Sequence, residues 1–276
     1  MKKYIFVDID GTLTDSHKKV SKANIKAMNK IEKKDFEIVF CSGRTNDYLV
    51  ELSKKCSTSR YLISSNGSLI YDQQENKIIY QDKIPFKILE TIYDYCKENR
   101  MAISFNTEKN RYCNDFLNYD INYEKKDTKR IRSIKDMESK NITQFVLGSY
   151  SYNEMTKVKD FLDTIPSLEI VNISTTMKLK QIDSPDGFFY DVVLKGVNKG
   201  TGIKNFIQTV NTTKDNCIAI GDHINDIDMF NAVNYKVAMG NACDELKSKA
   251  TFITKTNDED GVKYALEHVE KEFIQK

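Results

Sequence analysis

Tyr4-Ile-Phe-Val-Asp8-Ile-Asp10-Gly11-Thr12-Leu13 couples a short apolar run to two carboxylates and a glycine. An apolar run that ends abruptly in polar residues reads as a buried parallel strand. In open α/β sheets the ligand site lies beyond the carboxyl ends of the strands, which is where Asp8 and Asp10 would stand. Strand alternation turns both side chains to the same side, and Gly11 permits a sharp exit. Two acids at this spacing suit a cation site, or a nucleophile with an acid/base partner. A charged surface turn is the plain alternative.

Working outward, the same pattern repeats. Ser21 predicts an N-cap for a helix to about Lys34, with Ala27, Met28 and Ile31 on one face. Glu37-Ile-Val-Phe-Cys41 predicts a second strand, with a helix near Thr45 to Lys55 after it. Tyr61-Leu-Ile-Ser64 predicts a third strand, and Asn66-Gly67 a turn. At the other end, Ile203, Phe206, Ile207 and Val210 have helical spacing. Cys217-Ile-Ala-Ile-Gly221, Tyr235 to Ala238 and Thr251 to Ile253 read as strands, and a helix carries Val262, Ala265, Leu266, Val269 and Phe273. Strands alternating with helices predict a doubly wound, mainly parallel sheet of Rossmann type.

The middle reads differently. A helix from about Pro85 to Asn99 carries Ile88, Ile92 and Cys96 on one stripe. Strands of alternating polarity follow, Met177-Lys-Leu-Lys180 among them. Alternation predicts a mixed or antiparallel sheet with helices on one face and a wet opposite face. The expected organisation is a discontinuous core, 1–83 and 189–276, around an inserted α/β domain, 84–188.

Composition bounds the function. The chain has 276 residues, enough for one large domain or two modest ones. Lys plus Arg is 42 and Asp plus Glu is 40, a net charge of +2, which argues against a nucleic-acid binder. No apolar stretch suits a signal peptide or a membrane span. Cys41, Cys56, Cys96, Cys113, Cys217 and Cys243 show no metal-ligand spacing and no disulfide framework, and His17, His223 and His268 are scattered. A reducing, cytoplasmic setting is expected.

Other expected strand ends add complementary groups. Ser42-Gly43 offers a hydroxyl and a backbone amide for a phosphate oxygen. Gly221-Asp222-His-Ile-Asn225-Asp226 repeats the paired acids. Gly196-Val-Asn-Lys199-Gly200 places a lysine at a helix start, without the order of a Walker loop. Each alone is an ordinary turn or a solvated residue. Together they bring acids, a hydroxyl, an amide and a cation to one sheet edge.

In these motifs the sequence resembles the haloacid dehalogenase-like hydrolases, and within them the Cof-type sugar phosphatases with an inserted type IIB cap. Asp8-x-Asp10-Gly-Thr-Leu, Ser42-Gly-Arg44, Lys199 and Gly221-Asp-His-Ile-Asn-Asp226 follow the family's motif order. Ser65-Asn66-Gly67, Val237-Ala-Met-Gly-Asn-Ala242 and Asn257-Asp-Glu-Asp-Gly-Val262 resemble the group as well. The resemblance implies a phosphatase of small phosphomonoesters that works through an aspartyl-phosphate. Asp8 would be the nucleophile and Asp10 the general acid and base, protonated through like-charge crowding. Mg²⁺ would be held by Asp8, the Asp10 carbonyl and Asp222. Ser42, the Gly43 amide, Lys199 and Asn225 would hold the phosphoryl oxygens, and Asp226 would orient Lys199 or the metal shell.

Within the expected cap, Lys125-Lys126-Asp-Thr-Lys129-Arg130-Ile-Arg132 is the most basic run. It reads as a solvated face rather than an anion site. Tyr112, Phe116, Tyr119 and Tyr123 read equally as a pocket lining or as core. The alternatives in function are a phosphohexomutase-like phosphotransferase and a non-catalytic metabolite-binding regulator. No oligomeric state is implied.

Overall fold

The structure, a computed structural model, describes residues 2–114, 128–173 and 187–274. The chain forms two compact units, Met1–Tyr80 with Asn198–Lys276, and Gln81–Val197.

The first unit is built on one sheet. Its strands are β1 (Lys3–Val7), β2 (Phe36–Cys41), β3 (Tyr61–Ser64), β4 (Leu69–Asp72), β5 (Lys77–Gln81), β12 (Cys217–Gly221), β13 (Tyr235–Ala238) and β14 (Phe252–Ile253). They lie in the order β14-β13-β12-β1-β2-β3-β4-β5. From β14 to β3 the pairing is parallel, and β4 turns back antiparallel on β3. β1 sits centrally, with Val7 opposite both Ile220 and Phe40, so the loops after β1, β2 and β12 emerge at one edge. The strand order reverses beside β1, and there a doubly wound sheet opens its crevice.

The helices of this unit are α1 (Lys22–Ile31), α2 (Asn46–Cys56), α5 (Lys199–Thr209), α6 (Ile227–Ala232), α7 (Asp244–Lys247) and α8 (Gly261–Ile274). Ser21 caps α1 by accepting the Asn24 amide at 3.0 Å. On α5, Phe206 makes edge-on ring contacts with Tyr4 (5.0 Å), Phe6 (5.5 Å) and Tyr61 (5.0 Å). These contacts fix the helix against β1 and β3. All six cysteines are free. No helix among the described residues is long and apolar enough to cross a membrane.

The second unit has its own sheet, in the order β10-β11-β9-β6-β7-β8. These strands are β6 (Ala102–Asn106), β7 (Arg111–Cys113), β8 (Thr128–Arg130), β9 (Gln144–Ser149), β10 (Leu168–Ile173) and β11 (Phe188–Leu194). Pairing is antiparallel except between β7 and β8. Helices α3 (Phe86–Glu98) and α4 (Tyr152–Asp163) share a core with Phe105, Tyr112, Phe145, Leu147 and Tyr190.

The expected insert end at residue 188 falls at the start of β11, which pairs with β9 and β10 and so belongs whole to the second sheet. Phe-Phe-Tyr-Asp-Val-Val-Leu is equally apolar in either sheet, and pattern alone cannot assign it. The face expected to be wet carries Ser104, Asn106, Arg111, Gln144 and Asp191, and all five are buried. Alternation reports polarity, not exposure. Tyr112 is core, whereas Phe116, Tyr119, Tyr123, Lys125, Lys126 and the strand expected at Met177–Lys180 lie outside the described residues. Of the basic run, Lys129 pairs with Glu138 at 2.8 Å and Arg132 is exposed.

Candidate active site

The site begins where β1 ends. Asp8 is buried, 4% exposed, and its amide donates to the Ile220 carbonyl of β12 at 3.1 Å. The chain then turns through Gly11, at φ +82°, where a Cβ would stand 2.4 Å from Asp222 Oδ2. Only glycine tolerates both that backbone and that approach. Thr12 Oγ1 donates to Asp222 Oδ1 at 2.7 Å, bridging the loops after β1 and β12 across 210 residues of sequence.

Lys199 opens α5. Asn198 accepts the Thr201 amide at 2.9 Å, and Thr201 Oγ1 accepts the Asn198 amide at 2.9 Å, a reciprocal cap that starts the helix at this point. The lysine side chain runs inward, 2% exposed, and its Nζ donates to Asp8 Oδ1 at 2.6 Å and Asp226 Oδ1 at 2.7 Å. Asp226 is fully buried, and its other oxygen accepts the amides of Asp222 (2.9 Å) and His223 (3.1 Å). Asp226 therefore ties Lys199 to the loop that carries Asp222.

Electrostatics follow from this crowding. Burial, then the neighbouring Asp226 charge, push the Asp8 carboxyl well up, against the pull of Lys199. The same two causes push up Asp222, against the Thr12 hydrogen bond. Burial works against the Lys199 charge, but Asp226 and Asp8 outweigh it and hold the ammonium more firmly than usual. Asp10 behaves oppositely. Burial raises its carboxyl, yet Arg44 prevails and lowers it, through Nε to Oδ2 at 2.8 Å and Nη2 to Oδ1 at 2.6 Å. The expected protonation of Asp10 by like-charge crowding is thus corrected. Its carboxylate is paired with the Arg44 guanidinium.

Ser42 is buried and Gly43 half-buried at the end of β2, next to β1 in the sheet. Ser42 Oγ accepts the Arg44 amide at 3.2 Å. Asn225 lies in the turn beside Asp226, with Oδ1 buried and without a hydrogen-bond partner. That orphaned oxygen is an acceptor, whereas holding a phosphoryl oxygen would call on Nδ2.

The donor chemistry fits a hard cation. Carboxylate oxygens of Asp8, Asp222 and Asp226 lie within 4.8 Å of one another, with Lys199 as the ammonium between Asp8 and Asp226. An all-oxygen set with excess negative charge suits Mg²⁺. Since Lys199 and two amides occupy both Asp226 oxygens, Asp8 and Asp222 are the carboxylates better placed to serve it.

Sequence reasoning assigned no part to Thr12, Arg44, Asn241 or Asn257. All four stand inside the motifs that carry the family resemblance, and that is the signal the sequence offers. What they touch is set by loops far apart in the chain.

A family model described as haloacid dehalogenase-like hydrolase matches residues 5–266. The chain is similar to the 5-amino-6-(5-phospho-D-ribitylamino)uracil phosphatase YcsE of Bacillus subtilis, 30% identical over 270 residues, covering 96% of this chain and 95% of that protein. A haloacid dehalogenase-like hydrolase from Bacteroides thetaiotaomicron superposes with a TM-score of 0.83 at 23% identity, covering 98% of this chain and 100% of that one. A HAD subclass IIB sugar phosphatase gives a TM-score of 0.74 at 25% identity, covering 97% and 99%.

Proposed function

We propose, from the premise that this chain belongs to the haloacid dehalogenase-like hydrolase family, that it hydrolyses small phosphomonoesters with Asp8 as nucleophile. It is a phosphoric monoester hydrolase, as its named phosphatase relatives are. The observation that carries the mechanistic reading is the Lys199 ammonium bridging Asp8 and Asp226 at 2.6 and 2.7 Å inside a buried carboxylate cluster.

An Asp8 oxygen attacks phosphorus, and the P–O bond to the leaving group breaks. Asp10, released from Arg44 and protonated from solvent, gives that proton to the departing oxygen. Water then attacks the aspartyl-phosphate as Asp10 takes a proton from it, and phosphate leaves with Asp8 restored. Lys199 keeps Asp8 oriented and offsets charge as it gathers on the phosphoryl oxygens. Ser42, the Gly43 amide and the Asn225 amide would hold those oxygens. Arg44 holds Asp10 in the form that the base half requires. The acid half requires that pairing to be given up. Asp8, Asp222 and the Asp10 carbonyl would hold Mg²⁺, which when bound offsets repulsion between the carboxylates and the incoming phosphate.

The test is phosphate release across a panel of sugar phosphates and other phosphomonoesters, with and without Mg²⁺, for wild type and Asp8→Asn. Expected are Mg²⁺-dependent release by wild type and a loss of at least about a thousandfold in the variant, with an unchanged circular dichroism spectrum. No release across the whole panel would sink the reading. An isomerised sugar phosphate in place of free phosphate would make the protein a phosphotransferase, and tight binding without turnover a metabolite sensor.

A further inference from the structure

Asn241 follows β13 and Asn257 follows β14, both in motifs the reaction above leaves unused. Their side chains reach back to the loop after β1. Asn241 Nδ2 donates to the Gly11 carbonyl at 2.8 Å, and Asn257 Nδ2 to the Thr14 carbonyl at 3.0 Å. The two asparagines are joined, since the Asn257 amide donates to Asn241 Oδ1 at 2.9 Å. Gly240 donates to the Lys255 carbonyl at 2.9 Å, which holds their two loops together. A further tie runs from the Ser16 amide to Asp258 Oδ1 at 2.8 Å.

We propose that Asn241 and Asn257 form a clamp that positions the Asp10–Thr12 turn, and through it the acid/base carboxylate of Asp10; this rests on the phosphatase reading above. Within the turn, Leu13 and Thr14 donate back to Asp8 and Ile9. Those bonds fix its base, and the Gly11 and Thr14 carbonyls accept from the two asparagines. Asn241 takes the Gly11 carbonyl, which sets the peptide plane between Gly11 and Thr12. That plane lies between the Asp10 side chain and the Thr12 hydroxyl that holds Asp222. Gly11 has the loosest backbone in the turn, so an external tie there has the most freedom to remove. Asn241 satisfies both partners in one orientation only, Nδ2 toward a carbonyl and Oδ1 toward an amide. Asn241 is exposed, and an exposed hydrogen bond adds little to global stability. Its effect therefore belongs to local geometry.

The test separates positioning from mere support by leaving-group chemistry. A p-nitrophenolate leaves with little need of a proton, whereas an alkoxide needs one. Misplacing Asp10 should therefore slow an alkyl phosphomonoester far more than an aryl one. Asn241→Asp keeps the acceptor toward Asn257 but sets an oxygen against the Gly11 carbonyl. Asn241→Ala removes the tie without adding charge. For each, kcat/KM is measured with p-nitrophenyl phosphate and with the best alkyl ester of the panel, because kcat/KM reports the step in which the leaving group departs. Expected is a rise of about tenfold in the aryl-to-alkyl ratio, with Tm moving by no more than about 4 °C. An Asn257→Ala variant should shift the ratio in the same direction. Equal losses on both esters, or none, in a folded variant would overturn the clamp. Absence of turnover by wild type would overturn the phosphatase reading instead, and the clamp with it.

Discussion

Lys199 is the residue on which the site balances. It contacts two carboxylates directly, within a cluster of three, and is 2% exposed. Removing one partner of a buried ion pair leaves charge without compensation and typically costs about 3–5 kcal/mol. Lys199→Met is therefore expected to lower stability by that order at neutral pH, measured by urea unfolding without divalent cation. Without the ammonium, the Asp8 and Asp222 carboxyls would rise further above their unfolded values. Such groups weaken the fold as pH climbs through and beyond the unfolded range, so the deficit of the variant should shrink on acidification. A deficit that does not change with pH would mean that lost packing, not lost charge, is responsible. The identity of the lysine was legible in the sequence as a motif residue, and the family resemblance implied Asp226 as a residue that orients it. The contact with Asp8 was not legible, because Asp8 lies 191 residues away and only the meeting of α5 with β1 brings the two together.

At the scale of elements, α5 owes its position to two contacts of different kinds. Phe206 anchors its middle among Tyr4, Phe6 and Tyr61, and glycines let its first turn approach closely. A Cβ on Gly202 would stand 2.7 Å from Gly67 Cα and 2.9 Å from the Ile63 side chain. The turn Ser65–Gly67 after β3 is thus packed against the start of the helix that carries Lys199. Gly202→Ala has no room to be absorbed and is expected to destabilise by about 1–3 kcal/mol. It should lower turnover more than it raises KM, because the lysine moves with its helix; steady-state kinetics and denaturant unfolding together check this. Ser65-Asn66-Gly67 could be read from the sequence as a turn. That it serves as the seat of α5 could not, since a turn signal reports backbone preference and not what packs upon it.

At the scale of the whole molecule, the two units hold separate sets of buried apolar residues with no member in common. Phe145 lies at the centre of the second set, flanked by Phe105 in the sheet and fully buried. Phe145→Ala is expected to lower the protection of second-unit amides by about 3–5 kcal/mol in native-state hydrogen exchange. The amides of β1, β2 and β12 should stay within about 0.5 kcal/mol of wild type. A parallel loss in both units would show that they unfold as one. What the sequence determined by itself was the alternation of strand and helix, the place of Asp8 and Asp10 at a strand end, and the family to which the motifs belong. All of these are local, because apolar period, caps and short motifs are written in neighbouring residues. The tertiary structure alone decided which side β11 joins, that Arg44 pairs with Asp10, and that Asn241 and Asn257 reach the turn after β1. Each is a contact between segments far apart in the chain, and pairing of that kind follows from sheet order and packing rather than from local preference.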